Sequence, residues 1–105
     1  MIVCGRICPA DTLAKIDDVQ QIKYSAKVLQ DYADGWRDSW NGPPGGVINL
    51  AFYNGDQVIG TFGMTSAGNG EVLISVGTLS RRAPSGEIVK LTDRLGIVWP
   101  RGYRP

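Results

Sequence analysis

Two runs rich in β-branched, aromatic and other apolar residues, 47–53 and 57–64, flank the dipeptide Asn54-Gly55. That arrangement is the strongest short-range signal for a β-hairpin, so the middle of the chain is expected to be antiparallel sheet. Its register is contested within the sequence. A two-residue Asn54-Gly55 turn pairs Tyr53 with Asp56, Phe52 with Gln57 and Ile48 with Thr61. A three-residue loop over 54–56 pairs Phe52 with Val58, Leu50 with Gly60 and Ile48 with Phe62. The second register gathers Ile48, Leu50, Phe52, Val58, Phe62 and Met64 on one face. It is the one expected here, because a one-residue slip would turn a whole strand's apolar set towards water. Its cost is a left-handed conformation at Asp56.

The remaining pattern supplies four more elements. Residues 2–8 read as a short strand closed by Pro9. Asp17 or Asp18 offers an N-cap, and Val19, Ile22, Ala26, Leu29 and Ala33 then recur at helical spacing, with Gly35 as a stop. A helix is expected over about 17–33. Glu71–Val76 reads as a strand with Val72, Ile74 and Val76 on one side, entered from a turn over 65–70. Residues 80–84 are expected to leave the sheet. Ser85 as N-cap, then Ile88, Leu91 and Leu95, then Gly96-Ile97, predict a helix over about 85–95 with a Schellman stop. The tail from Val98 has no periodicity, and no repeat or linker divides the chain. The order β-α-β-β-β-α predicts an α+β domain spanning 1–105: two layers, an antiparallel sheet of about four strands, and two helices on one face.

The stretch Phe52-Tyr-Asn-Gly-Asp-x-x-Ile-Gly-x-Phe-Gly63 resembles a hairpin found in a loose group of small bacterial proteins of unknown function, some of them lipoprotein-borne. Those proteins carry a Trp- and Pro-containing loop upstream, matched here by Trp40 to Pro44. They also carry a short helix opening with Ala/Pro-Ser-x-Glu, matched by Ala83 to Glu87. The resemblance covers roughly residues 35 to 97. This chain departs from the group in showing no lipoprotein leader and no cysteine in a lipidation context. The resemblance implies the element order and brings no activity and no catalytic residue.

Composition narrows the function. The 105 residues are 43% hydrophobic, enough for a real core, and the net charge is +1 from 11 basic and 10 acidic side chains. That balance argues against a nucleic-acid binder, which carries a basic excess. No run of about 18 apolar residues exists, so no transmembrane helix is expected. The apolar run at the N-terminus is too short for a signal peptide and is broken by Arg6 and Pro9. A cytoplasmic protein is expected from the chain as it stands, with a previously removed leader left open.

There is no histidine. That removes the usual general base near neutral pH and the commonest metal ligand. Cys4 and Cys8 are the only cysteines, and C-x3-C alone does not make a four-ligand zinc site. Four residues apart on one strand they would stand roughly 13 Å from each other, too far for a disulfide. Two small buried thiols in a reducing compartment are therefore expected, with no metal and no cofactor.

Several segments invite a functional reading. Gly60–Gly63 and Gly68–Gly70 lie between strands rather than before a helix, so they read as turn and bulge glycines, not as a phosphate loop. The carboxylates are scattered, and Asp17, Asp18 and Glu87 suit helix starts. A carboxylate-based hydrolase is the third choice, and the protein is expected not to be an enzyme. Arg81, Arg82, Arg101, Tyr103 and Arg104 would suit nucleic-acid phosphates and bases, the second choice. The first choice is the Gly- and Pro-rich connection 35–46, too long for a plain linker and bearing two tryptophans. Trp36, Arg37, Asp38 and Trp40 are of the residue types that dominate interface hot spots and their rims. The sequence therefore predicts a non-enzymatic protein-binding module, comparable in size and class to immunity, inhibitor or accessory proteins of bacterial or phage type. The competing account makes Trp36 and Trp40 caps on the core.

Overall fold

The structure, a computed structural model, describes residues 1–6, 10–32, 34–38 and 46–105. Cys8, Ala33 and Trp40 lie outside the described residues, as does the stretch Trp40 to Pro44. Seven strands and two helices follow in chain order: β1 (Ile2–Cys4), β2 (Thr12–Lys15), α1 (Val19–Gln30), β3 (Arg37–Asp38), β4 (Ile48–Asn54), β5 (Gln57–Gly68), β6 (Glu71–Val76), β7 (Leu79–Pro84) and α2 (Ser85–Arg94). The strands form one antiparallel sheet in the order β2-β1-β4-β5-β6-β7-β3. The α+β class is as expected, but the sheet has seven strands rather than about four. The extra ones are β2, β3 and β7, whose side chains are mostly exposed. In β7 only Ala83 is buried in the core, so no apolar alternation announces the strand.

The central hairpin adopts neither expected register. Asn54 pairs with Gln57, so Gly55-Asp56 makes the turn, with Gly55 at φ +62°. Glycine at the first central position with a positive φ suits a II′ turn, and Asp56 needs no left-handed conformation. Tyr53 pairs with Val58, then Phe52 with Gly60, so Ile59 is an extra residue, a β-bulge. Beyond it Leu50 faces Phe62 and Ile48 faces Met64. The bulge restores the apolar phase, so Ile48, Leu50, Phe62 and Met64 are buried and Phe52 packs beside them. Val58 precedes the bulge and falls out of phase, half exposed. The Asn-Gly turn occurs one hairpin later. Asn69 (φ +55°) and Gly70 (φ +73°) join Gly68 to Glu71, the type I′ geometry that this dipeptide favours.

One sheet face carries Val3, Ile48, Leu50, Phe62, Met64, Val72, Ile74 and Ala83, and both helices contribute to the same cluster through Val28, Leu29, Ile88 and Leu91. Helix α1 starts where Asp18 accepts from the backbone N–H groups of Gln20 (2.8 Å) and Gln21 (3.2 Å). It is shorter than the expected 17–33 and turned differently. Ser25, Val28 and Leu29 are the buried positions, with Tyr32 beyond them, and Val19 is exposed. Helix α2 is close to expectation, although Pro84 rather than Ser85 holds the N-cap position and no side chain caps it. It ends in a Schellman stop: Gly96 (φ +71°) donates to Asp93 O and Ile97 to Thr92 O. The tail, which has no periodicity, still supplies the core. Trp99 is buried, and its Nε1 donates to Thr92 Oγ1 at 2.9 Å.

Cys4 corrects the sequence reading. It is fully buried but disulfide-bonded, its partner lying outside the described residues. The distance argument assumed extended chain from 2 to 8, whereas β1 ends at Cys4 and the backbone bends at Gly5 and Arg6. Asn49 holds that bend, its Nδ2 donating to Gly5 O (2.6 Å) and Gly46 O (2.9 Å). No helix among the described residues is long and apolar enough to cross a membrane.

Candidate functional site: two surfaces at one end of the sheet

The connection after α1 returns to the sheet as an edge strand. β3 pairs with β7, Arg37 opposite Ser80 and Asp38 opposite Leu79. This joins two sets of residues that sequence reasoning kept apart, because Arg37 and Asp38 now sit beside Arg81 and Arg82. The four line a hollow of about 450 Å³ with Gly35, Leu73 and Ser80. Its charge is largely compensated. Arg81 reaches Asp34, donating to its carbonyl and standing 3.6 Å from its carboxylate, and lies over the Tyr32 ring at 4.9 Å. Arg82 is 3.7 Å from Glu71. Among the described residues the Arg37 side chain makes no hydrogen bond or ion pair.

The other basic residues are placed elsewhere. Arg104 pairs with Asp93 on α2 at 3.3 Å, and the Tyr103 hydroxyl accepts from Arg6 at 3.2 Å. Arg101 is exposed. Arg81 and Arg82 thus lie on β7, whereas Arg104 meets α2 and Tyr103 meets Arg6.

Trp36 packs on the core. Its ring meets Phe62 edge to face (centroids 6.0 Å apart, planes at 83°), and its Nε1 donates to Tyr32 O at 2.7 Å. The same corner holds Tyr32, a strongly perturbed titrating group. Burial first, then the hydrogen bond that Tyr32 donates to Glu87 Oε2 (2.8 Å) and the charge of that carboxylate, push the Tyr32 phenol up to about 12. Tyr32 thereby ties the end of α1 to the first turn of α2.

A second surface escaped sequence reasoning. Between α1 and the hairpin lies a groove of about 390 Å³ lined by Ala26, Leu29, Gln30, Phe52, Ile59, Gly60, Phe62 and Val76. No lining residue titrates. Two of its lining side chains are exposed apolar residues: Ile59 is 67% exposed and Val76 39%. The cause is topological. β6 begins to pair with β5 only at Phe62, so Gln57–Thr61 has β4 on one side and, among the described residues, no strand on the other. The available signal was the helical stripe Val19-Ile22-Ala26-Leu29, which reads as a core stripe. In the structure Ala26 and Leu29 open onto the groove, Ile22 packs against the core, and Val19 is exposed.

Comparison with protein-family models, curated proteins and solved structures returned no match. What fold and site define is therefore a class: a small α+β protein with an apolar groove beside a mixed-charge sheet edge.

Proposed function

We propose that this chain is a non-enzymatic protein-binding module whose contact surface is the groove between α1 and the β4–β5 hairpin. The carrying observation is the lining, which is apolar, open and without an acid, base or nucleophile. Such a surface gains free energy by leaving water but offers no group to move a proton or attack a bond. Five of the ten carboxylates have other duties: Asp18 caps α1, Glu87 accepts from Tyr32, and Asp34, Glu71 and Asp93 face arginines. Those same ion pairs weigh against the nucleic-acid reading, since they neutralise Arg81, Arg82 and Arg104. Arg37 and Asp38 serve as the polar rim of the binding end, and Trp36 supports it from beneath. An immunity, inhibitor or accessory role suits a protein of this size and class. The disulfide at Cys4 supports a compartment in which disulfides persist, against the cytoplasm expected from the sequence.

The test is selection from a random peptide library on the immobilised chain at low protein concentration. Apolar peptides that are retained at high salt and lost with Ile59→Asp support the reading. Selection of acidic peptides that depend on Arg37 would move the site to the β3–β7 edge. Salt-sensitive capture of single-stranded DNA, with no peptide selected, would favour the nucleic-acid alternative.

A further inference from the structure

On the face of the sheet turned away from the helices, the register sets two arginines around one serine. Arg37 on β3 stands directly opposite Ser80 on β7. Arg82 lies two residues further along β7, on the same face, and opposite Leu73 of β6. Val72, Ile74 and Ala83 occupy the alternate positions and enter the core, so Arg37, Ser80, Arg82 and Leu73 point to the other side. Arg37 and Arg82 are therefore diagonal neighbours, roughly 7–8 Å apart at the backbone. Two side chains of that length can reach one small ligand between them. All four residues line the hollow of about 450 Å³ at the β3–β7 edge.

The donors that face this hollow are not engaged elsewhere. Among the described residues the exposed Arg37 side chain makes no hydrogen bond or ion pair, and the Ser80 hydroxyl makes no hydrogen bond. Glu71 stands 3.7 Å from Arg82, beyond hydrogen-bond distance, so it offsets the charge without using the N–H groups. Both partners of that pair are well exposed, and exposed pairs hold weakly. Arg81 also lines the hollow, but it is committed to other contacts. It donates to the carbonyls of Asp34 and Arg82 and lies over the Tyr32 ring. Asp38, the one carboxylate among the described lining residues, sits opposite Leu79 and so alternates towards the helix side.

We propose that this hollow is an oxyanion site that takes the phosphoryl group of a phosphate monoester, with Arg37 and Arg82 as its two clamps and Ser80 as a third donor. The number of donors selects the ligand. A guanidinium engages two oxygens side by side, so two of them with a hydroxyl exceed what the two oxygens of a carboxylate can accept. A phosphodiester also exposes only two unesterified oxygens and carries one charge. A monoester has three terminal oxygens and a charge of about −2 near neutral pH, which matches two arginines and one hydroxyl. Leu73 supplies an apolar wall for the organic part of the ester. The site shares no lining residue with the groove between α1 and the hairpin, so it stands or falls separately from the binding role assigned there.

Titration of the full chain at constant ionic strength, followed by the arginine Nε–H signals in proton–nitrogen NMR spectra, tests this. The probes are inorganic phosphate, phenyl phosphate, dimethyl phosphate and acetate. Phosphate and phenyl phosphate should shift the Arg37 and Arg82 signals saturably, and dimethyl phosphate and acetate should bind roughly tenfold more weakly. Arg37→Gln and Arg82→Gln should each weaken binding roughly fivefold with an unchanged far-UV circular dichroism spectrum. Glu71→Gln should strengthen it, because Arg82 is then uncompensated. Arg104→Gln, which alters the pair with Asp93 on α2, should leave it unchanged. A phosphoserine peptide separates two sources of the group. Binding no tighter than that of phenyl phosphate assigns a small ester, and tighter binding assigns a phosphorylated protein segment. Shifts that stay linear up to about 50 mM phosphate, where a specific site would be filled, overturn the proposal. So does saturable binding indifferent to Arg37→Gln, and so does acetate or dimethyl phosphate binding as tightly as phosphate. The signals of the parent chain locate the ion even where a variant fails to fold.

Discussion

Ile59 and Leu50 lie nine residues apart in one hairpin and have opposite environments, for reasons of register alone. Leu50 is fully buried opposite Phe62, whereas Ile59 is the unpaired residue of a bulge and two-thirds exposed. Leu50→Ala should cost about 2–5 kcal/mol, the range for truncating a buried aliphatic side chain. Ile59→Ala should stay within about 0.5 kcal/mol of the parent. Urea unfolding of the two variants measures both, and a severe Ile59→Ala would mean that the hairpin pairs without the bulge. Tyr32 gives a second residue-scale prediction. Its phenol is pushed up to about 12 in the folded chain, against an ordinary value near 10 in the unfolded one. The contribution of the buried, protonated phenol is therefore complete below about pH 10 and is lost as pH rises towards 12. In a titration followed by tyrosinate absorbance, one of the four tyrosines should ionise late, and Tyr32→Phe should abolish that late step. Four tyrosines that titrate together would contradict the buried Tyr32–Glu87 hydrogen bond.

The elements owe their ends to single residues. Helix α2 stops because Gly96 takes φ +71° and lets Ile97 fold back, its N–H donating to Thr92 O at 2.9 Å. An alanine at Gly96 must adopt the same left-handed conformation, at a cost of about 1 kcal/mol. Asp18→Ala removes the acceptor for two free N–H groups at the start of α1 and should also cost about 1 kcal/mol. Both losses should show as shifted urea midpoints with unchanged slopes. A changed slope would mean that the element had come away from the core rather than lost its cap. The hairpins follow the same logic. Gly-Asp at 55–56 and Asn-Gly at 69–70 each make the turn that their dihedral preferences allow, and the bulge absorbs the mismatch that the first turn leaves.

Across the whole molecule, one apolar cluster receives side chains from β1, β4, β5, β6, β7, both helices and the tail. With no second cluster among the described residues to unfold separately, chemical denaturation should give a single transition. Trp36 and Trp99 both touch the cluster, so tryptophan fluorescence and far-UV circular dichroism should report the same midpoint. Two separated midpoints would show that the hairpin arm or the tail melts independently. The surface follows from the layering. The helices cover the sheet where α2 lies on β6 and β7 and leave the apolar groove beside the hairpin open. That gap is the surface to which the proposed binding role is assigned.

How much of this was written in the chain depends on the range of the interaction. The α+β class, the second helix with its Schellman stop, the cap at Asp18, the meander and the burial of Leu50 and Phe62 were legible. Each rests on local conformational preference or on a short apolar period, which neighbouring residues determine among themselves. Strands β2, β3 and β7 were not legible, because their side chains are mostly exposed and show no apolar alternation, and β3 is in addition held by a strand distant in sequence, β7. Trp36 was singled out for a binding surface, with a core cap as the competing account, and it packs against the core. Its place beneath the surface depends on Phe62, twenty-six positions away, and so only the tertiary structure could set it. The same holds for the stripe Val19-Ile22-Ala26-Leu29. Its period was determined by the sequence, but its direction was decided by packing. The core takes the side of α1 that bears Ser25, Val28 and Leu29, with Ile22 packed at its margin, while Ala26 opens onto the groove and Val19 is exposed.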